Sequence, residues 1–206
     1  MMGVEWLNIA RQLQSIAQAG LAFSDNKYDI DRYQQLKDIS LKMFNEITDI
    51  KIEKLNNIFA GEKGYQTPKV DVRGVVFRGN KILMVKETID GLWSVPGGWA
   101  DIGLTPFQVS AKEVLEEAGL DVEPVRLLAV LDKRSHAHPP DLFHIYKIFI
   151  LCHEKGGKMK PGMETSQVAF FGINELPPLS TTRITREQIN MLFDFQEHPD
   201  KSAICD

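Results

Sequence analysis

The chain has 206 residues, of which 43% are hydrophobic, and a formal net charge of −4 at pH 7. This length allows one medium domain with a sizeable core and a small second domain. The acidic balance disfavours binding to DNA or to an anionic membrane, and no apolar run approaches membrane-spanning length. The two cysteines, Cys152 and Cys205, are far apart in sequence. This spacing excludes a disulfide framework and fits a reducing, cytoplasmic environment.

Residues 1–66 have the apolar periodicity of three helices. The first stripe is expected to end at Gly20, the second to be capped by Asp29 or Asp31, and the third to close at Gly61. Three small helices bury little surface by themselves, so this helical domain is expected to pair two subunits and to border the substrate. It has no basic recognition helix, and DNA binding is not expected.

After the linker GEKGYQTP the period of the apolar pattern changes to two, which is typical of strands. Strands are predicted at 70–77, 81–85, 93–95, 125–131, 143–152 and 168–171. A bend is predicted at 96–98, and a last helix begins after the capping box of Thr185 and Gln188. Mixed strands around one central helix, with a second helix at the end, predict an α/β/α sandwich over residues 67–206.

The central helix has well-marked ends. Thr105 and Gln108 form a capping box, Pro106 suits the first helical position, and Gly119 supplies the left-handed residue that ends the helix. An apolar face is predicted from side chains at three- and four-residue spacing, namely Phe107, Ala111, Val114, Leu115 and Ala118.

Three glutamates on this helix predict a metal site. Glu113, Glu116 and Glu117 stand at i, i+3 and i+4, so their carboxylates are expected to crowd together on a neighbouring face. Like charges at this spacing destabilise a helix, and a divalent cation reverses the sign of the interaction. Hard carboxylate oxygens suit Mg²⁺ or Mn²⁺. The alternative is an ordinary solvated acidic face.

The stretch from Gly98 to Leu120 resembles the signature of the Nudix hydrolases, Gly-x5-Glu-x7-Arg-Glu-U-x-Glu-Glu-x-Gly-U, where U is aliphatic. Gly98, the three glutamates and Gly119 match in register. Two positions depart from the pattern: Leu104 replaces the first glutamate, and Lys112 replaces the arginine. Lysine keeps the positive charge but loses the planar fork of arginine. Either Asp101 substitutes for the missing carboxylate or the site holds fewer ions.

The order of a helical segment followed by KVDVRGVVF, GGWAD and ETSQVAFF is similar to a Nudix subgroup with an N-terminal helical domain. That subgroup includes bacterial CDP-choline and ADP-ribose pyrophosphatases. The resemblance implies a Nudix fold and Mg²⁺- or Mn²⁺-dependent hydrolysis of a nucleoside diphosphate linked to a group X. It also implies a metal site made of the Gly98 carbonyl and the carboxylates of Glu113, Glu116 and Glu117.

Further roles follow from this resemblance. Glu113, Glu117 and Lys112 are expected in the catalytic machinery. Glu164, in a loop before a strand, is the best candidate general base, and an ordinary loop carboxylate is the alternative. Arg73 alternates with Asp71 in a predicted strand and is either a phosphate or nucleotide contact or half of a structural salt bridge. Trp99 either stacks on a substrate base or packs in the core, and His136 and His138 are expected at a loop rim rather than on zinc.

Two other functions stay open at this stage. A catalytically weak Nudix domain that regulates a partner is compatible with the departures at Leu104 and Lys112. RNA end-processing on short RNA is compatible with the box itself. Because no additional lysine or arginine cluster flanks the box, CDP-choline or ADP-ribose is expected ahead of nucleoside triphosphates.

Overall fold

The computed structural model describes residues 2–206, which form two compact units. One unit holds the chain up to Pro68 together with Pro140–His144. The other holds Lys69–Pro139 and Ile145–Asp206. The sequence of the sheet unit is therefore interrupted by the five residues Pro140–His144, which belong to the helical unit.

The helical unit contains α1 (Met2–Phe23), α2 (Lys27–Thr48) and α3 (Ile52–Phe59). The predicted end of the first helix at Gly20 is wrong, because α1 continues to Phe23. A Cβ at Gly20 would lie 2.3 Å from the Tyr33 ring, so this glycine allows close packing against α2 instead of ending α1. The predicted cap at Asp29 or Asp31 is also wrong. Asn26 caps α2, accepting hydrogen bonds from the first-turn amides of Tyr28 and Asp29.

The core of the helical unit consists of buried side chains from all three helices and two partly buried residues of the 140–144 segment. These are Leu7, Ala10, Leu41, Phe44, Leu55 and Phe59, with Leu142 and Phe143 packed against them. Arg11 of α1 donates hydrogen bonds to the carbonyl oxygens of Asp141 and Leu142. Over residues 2–206, none of the helices combines the length and the apolar character needed to cross a bilayer.

The sheet unit has eight strands: β1 (Lys69–Arg78), β2 (Lys81–Glu87), β3 (Trp93–Ser94), β4 (Gly97–Trp99), β5 (Leu120–Asp132), β6 (Ile145–Gly157), β7 (Thr165–Phe171) and β8 (Ile204–Cys205). The main path runs β3-β2-β1-β6-β5-β8, while β4 pairs with β1 and β7 with β2. β1 pairs with β6 and β5 with β8 in parallel, while the other strand pairs are antiparallel, which makes the sheet mixed.

A helix covers each face of the sheet. Val109, Val114 and Ala118 of α4 (Pro106–Ala118) share one apolar cluster with the strands. Ile189, Leu192 and Phe193 of α5 (Arg186–Glu197) belong to the cluster on the other face. The predicted α/β/α sandwich, preceded by a helical region, is confirmed.

Some strand limits differ from those predicted. β5 and β6 each have 13 residues and continue beyond the predicted apolar runs, because their backbones pair along almost their whole length. The predicted bend at 96–98 overlaps a short strand, β4, whose residues pair with β1. β8 was not predicted, since a pair of residues near the end of a chain carries no periodic signal.

Candidate active site

The two ends of α4 form as the sequence indicates. The Thr105 side chain accepts from the Gln108 amide, the Gln108 side chain accepts from the Thr105 amide, and Gly119 adopts φ 72° in the left-handed region. The predicted apolar face is wrong at two positions, because Phe107 and Leu115 are 40% and 52% exposed. The buried residues are Val109, Ser110, Val114, Glu117 and Ala118. The helix is thus rotated so that one box glutamate lies on its buried side.

A glycine in β1 sets how closely α4 approaches the sheet. A Cβ on Gly74 would lie 2.5 Å from Val114 Cγ2 and 3.0 Å from the Ser110 carbonyl oxygen. The absence of a side chain at Gly74 therefore permits α4 to rest directly on the backbone of β1. This close contact brings the glutamate-bearing end of α4 beside β1 and the adjoining strand β4.

Glu117 is a buried carboxylate held by backbone. It is 7% exposed, and its Oε2 accepts a hydrogen bond of 2.9 Å from the Gly97 amide. Gly97 has φ 147°, and a Cβ there would lie 2.1 Å from the Val72 carbonyl oxygen, so only glycine fits. Burial raises the pKa of Glu117 to about 8, against the opposing effects of the Arg73 guanidinium and the Gly97 amide. Burial therefore disfavours the ionised form of this carboxyl group.

Glu113 lies against the next glycine. A Cβ on Gly98 would come within 3.2 to 3.4 Å of the three carboxyl atoms of Glu113. The bare backbone of Gly98 thus gives this carboxylate room beside β4. Burial raises the pKa of Glu113, and the Lys112 ammonium opposes that shift.

The third box glutamate is more exposed and is ion-paired. The Lys112 ammonium lies 3.1 Å from Glu116 Oε2, 3.1 Å from Asp101 Oδ2 and 3.6 Å from Glu113 Oε1. The hydrogen bonds that Lys112 donates to Asp101 and Glu116 raise the pKa of Lys112. The three box glutamates therefore have three different surroundings. Across residues 2–206, no group of three or more acidic, histidine or cysteine side chains already converges as a metal-binding cluster.

Arg73 was predicted to contact phosphate or to form a structural salt bridge. The structure shows a salt bridge, and its partner is Asp71. Its Nε and Nη2 lie 3.0 and 2.9 Å from Asp71 Oδ1, and its Nη1 donates to the Val95 carbonyl oxygen at 3.1 Å. Lys147 of β6 approaches the other oxygen of Asp71. Burial alone would raise the pKa of Asp71, but the two cations lower it to about 2. The Arg73 residue is only 5% exposed. Its role in binding phosphate stays a prediction.

Sequence reasoning missed another buried carboxylate in this region, Glu87. It is 3% exposed, and its Oε1 accepts from the Ser94 hydroxyl at 2.6 Å and lies 3.1 Å from Arg183 Nε. Its charge contributes to the raised pKa of Glu117. The pairing of β2 with β7 shifts register between Lys86 and Glu87. Such a bulge re-aims a side chain and leaves no signal in the apolar period.

The loop that carries Glu164 is docked on the last turn of α4. A Cβ on Gly162 would lie 2.0 Å from the Glu116 carbonyl oxygen. The Thr165 hydroxyl donates to the Glu117 carbonyl oxygen at 2.8 Å and accepts from the Gly162 amide at 2.8 Å. The Glu164 side chain is exposed, while its backbone carbonyl accepts from Thr88. Its role as general base stays a prediction, but its loop is docked on α4, the helix of the three box glutamates.

The remaining candidate residues are Trp99, at the end of β4, and two histidines in the loop after β5. Trp99 at the end of β4 is 54% exposed, so the core-packing interpretation of this indole is wrong. His136 lies 3.0 Å from Asp206, and His138 Nδ1 lies 2.7 Å from the Thr181 carbonyl oxygen. These contacts agree with the expectation of a loop role for both histidines.

The residues present fit a divalent cation. Glu113 and Glu117 are carboxylates in a partly dehydrated corner, where burial disfavours their ionised forms unless a cation compensates them. The backbone of Gly98 approaches Glu113 without an intervening side chain. Carboxylate and backbone carbonyl oxygens are the donors that Mg²⁺ and Mn²⁺ prefer.

Two family descriptions match successive parts of the chain. Residues 4–59 match the UDP-X-like, N-terminal oligomerisation domain called Nudix_N. Residues 67–193 match the NUDIX domain, which is more than half of the chain. The two matches fall within the helical and the sheet-bearing parts of the sequence, respectively.

Individual relatives agree with these matches. The chain is 52% identical over 202 residues to YjhB of Bacillus subtilis, a provisionally named ADP-ribose pyrophosphatase, covering 98% of this chain and 97% of that protein. A crystal structure of an ADP-ribose pyrophosphatase from Streptococcus suis is 41% identical, with a TM-score of 0.63 over 68% of this chain and 100% of the other. A UDP-X diphosphatase structure is 29% identical, with a TM-score of 0.64 and 99% of both chains covered. From the box geometry, the domain matches and the full-length similarity together, the chain belongs to the Nudix hydrolase family.

Proposed function

We propose that this protein is an Mg²⁺-dependent hydrolase of nucleoside diphosphates linked to another group, with ADP-ribose as the leading substrate. The observation that carries the proposal is the corner between β4 and α4. There, Glu113 and Glu117 lie against the backbone of Gly98 and Gly97. This corner concentrates carboxylates that a divalent cation would compensate.

Each residue at the corner has a proposed task. Glu113, Glu116, Glu117 and the Gly98 carbonyl would hold Mg²⁺ or Mn²⁺. The bound ion supplies neutralisation of the pyrophosphate charge, which favours attack on phosphorus. Before the ion binds, Lys112 would hold the side chains of Glu113 and Glu116, to which it is ion-paired, at the edge of the site. Trp99, with its exposed indole, is the candidate that stacks on the substrate base.

The proposed reaction needs only water as the second substrate. A water oxygen forms a bond to one phosphorus, and the bond from that phosphorus to the bridging oxygen breaks. The products are a nucleoside monophosphate and a phosphorylated X. The proton that the water loses goes to a carboxylate base, for which Glu164 is the leading candidate and Glu113 the second. The docking of the Glu164 loop on α4 supports this choice.

The preference for ADP-ribose rests on the named activities of similar proteins. YjhB, provisionally, and the Streptococcus suis protein are both named ADP-ribose pyrophosphatases. UDP-linked compounds come next, because the UDP-X diphosphatase aligns over almost the whole chain. CDP-choline stays in the comparison as a diphosphate with two flanking groups, the kind of substrate expected from the charges around the box.

The decisive experiment compares kcat/KM of the purified chain on ADP-ribose, CDP-choline, UDP-glucose, nucleoside triphosphates and short capped RNA, with Mg²⁺, with Mn²⁺ and with chelator. We expect a diphosphate-X compound to lead and the chelator to abolish turnover. A tenfold preference for a triphosphate, about 1.4 kcal/mol in transition-state free energy, would contradict the proposed substrate class. Preference for capped RNA would favour RNA end-processing instead.

A second candidate is a weakly catalytic Nudix domain that binds a nucleotide and regulates a partner. The observation favouring it is the ion pairing of Glu116 and Glu113 with Lys112, which engages the carboxylates without a metal. Calorimetric binding of ADP-ribose together with no turnover of any panel compound at saturating Mg²⁺ would support this candidate. Turnover at ordinary enzymatic rates, above about 1 s⁻¹, would exclude it.

We also propose a homodimer formed through the helical unit, in a protein expected in the cytoplasm. Support comes from the oligomerisation description of residues 4–59 and from an apolar groove of about 400 Å³ on α1 and α2, lined in part by Trp6, Ile39 and Met43. Trp6 is 53% and Ile39 47% exposed. Light scattering should give a dimer mass for the native chain and a monomer mass for Trp6→Glu. A native monomer at micromolar concentration would contradict this proposal.

A further inference from the structure

The Lys112 ammonium stands among three carboxylates at the edge of the candidate metal site. Its Nζ is 3.1 Å from both Asp101 Oδ2 and Glu116 Oε2, and 3.6 Å from Glu113 Oε1. Two of these three partners, Glu113 and Glu116, are carboxylates that the proposed function gives to the divalent ion. Lys112 therefore already supplies one positive charge at oxygens that the metal would need.

The two departures from the Nudix signature meet at this point. Leu104 brings no carboxylate, and its amide donates to the Asp101 carbonyl oxygen at 3.2 Å, which closes a turn with Asp101 at its start. Asp101 is thus the acidic side chain that this loop presents to Lys112. A lysine ammonium is a point charge on a flexible stem, so it can move between carboxylates, whereas an arginine fork is fixed by bidentate geometry.

A divalent ion bound by Glu113 and Glu116 and the ammonium of Lys112 would oppose each other. Lys112 lies near one oxygen of each glutamate, and two cations held on the same carboxylates repel each other. Binding of the ion therefore favours withdrawal of Lys112 from the two glutamates. Of the three carboxylates paired with Lys112, Asp101 alone stands outside the ligand set of the proposed function, so the ammonium can stay there. The alternative, in which Asp101 replaces the missing first glutamate of the signature, is one of the outcomes of the test below. At 37% side-chain exposure, Lys112 has room for this movement.

We propose, on the basis of the proposed function, that Lys112 is a built-in competitor of the divalent cation at Glu113 and Glu116. Asp101 retains the displaced ammonium when the cation binds. Lys112 and Asp101 are then positioning residues with opposite effects on metal affinity. Lys112 weakens metal binding by occupying the ligands, and Asp101 strengthens it by holding Lys112 away from them.

The test measures Mn²⁺ binding directly, by electron paramagnetic resonance of the free ion in titrations of the full-length chain. Lys112→Met should lower the Mn²⁺ dissociation constant by about fivefold or more, because every molecule is then competent to bind. Asp101→Asn should raise it. In the Lys112→Met background, Asp101→Asn should have little effect, since Asp101 acts through Lys112.

Other outcomes overturn the proposal. An unchanged or raised dissociation constant in Lys112→Met contradicts competition. An equal effect of Asp101→Asn with and without Lys112 means that Asp101 acts on the ion itself. Lys112→Gln serves as a second variant, and circular dichroism verifies that each chain is folded. Thermal unfolding without metal should show Lys112→Met less stable than the native chain, because three carboxylates lose their shared cation.

The same titrations separate this proposal from the proposed function. If native binding of Mn²⁺ is unaffected by Glu117→Gln and Glu113→Gln, the metal site itself is wrong. If those variants weaken binding but Lys112→Met leaves it unchanged, the metal site stands and the competition fails. Binding by Lys112→Met alone, with none by the native chain, supports the competition in its strongest form, and no binding by either chain overturns both.

Discussion

Glu116 and Glu117 are neighbours in sequence and carry the same carboxyl group, yet they lie in opposite environments. Glu117 is buried and contacts the Gly97 amide, whereas the side chain of Glu116 is 58% exposed and is paired with Lys112. Burial raises the pKa of Glu117 to about 8. The comparison shows that two neighbouring glutamates of one signature occupy two kinds of surroundings. One contacts the backbone in the protein interior, and the other is paired with a lysine at the surface.

The largest expected effect concerns the buried member of this pair. Glu117→Gln should lower kcat by at least about 10²-fold, because a charge that stabilises the transition state through the metal site is lost. Glu116→Gln should cost less, since water and Lys112 already screen that carboxylate. Steady-state kinetics on ADP-ribose with saturating Mg²⁺ measure both variants.

Glu123→Gln is the matched control for these two variants. Its side chain is exposed on β5 and forms an ion pair with Lys155 of β6. Full activity in Glu117→Gln would contradict the assignment of α4 as the metal-binding helix. An equal loss in both box variants would mean that burial does not distinguish them.

The next effect concerns the Glu164 loop, which is docked on the last turn of α4. Gly162→Ala places a Cβ 2.0 Å from the Glu116 carbonyl oxygen, so the loop must move away from the helix. We expect a loss of about 1–3 kcal/mol in the free energy of unfolding, the usual range for overpacking. A fall in kcat should accompany it if Glu164 is the base. Urea denaturation and kinetics measure the two quantities.

Gly156→Ala is the matched control for this substitution. A Cβ at Gly156 meets no atom within 4 Å, and its φ lies outside the left-handed region. Stability close to that of the native chain is expected. If Gly162→Ala behaves like Gly156→Ala, the loop is not held by the close approach to α4.

The smallest effect is the contribution of Glu117 to the pH dependence of stability. The folded chain keeps this proton up to about pH 8, whereas the unfolded chain releases it near the ordinary value of 4.5. The folded state therefore binds more protons across this window, and the contribution of Glu117 to stability falls as the pH rises through it. Mg²⁺ must displace that proton.

The rise in melting temperature caused by saturating Mg²⁺ should accordingly be larger at about pH 8.5 than at about pH 6. Differential scanning calorimetry of the native chain and of Glu117→Gln measures this difference. In the variant the pH dependence of the Mg²⁺ shift should diminish. A shift independent of pH in the native chain would mean that the Glu117 carboxyl is already ionised before the metal binds.

Much of the architecture was predictable from local signals. The capping boxes at Thr105 and Thr185 and the left-handed Gly119 determine helix ends through the nearest few residues, and all three form as expected. Gly20 shows where this reasoning fails. A glycine in a helical pattern can end the helix or permit a close contact, and only the position of Tyr33 on another helix decides between the two.

By itself, the sequence determined the family, the alternation of strands around one helix, and the glutamates of the box, because spacing along the chain encodes all three. The tertiary structure decided which glutamate is buried, since the rotation of α4 depends on its close packing on Gly74. It also decided the partners of Arg73, Glu87 and Lys112. Each partner comes from a different strand, helix turn or loop, and long-range contacts of this kind leave no periodic trace in a single sequence.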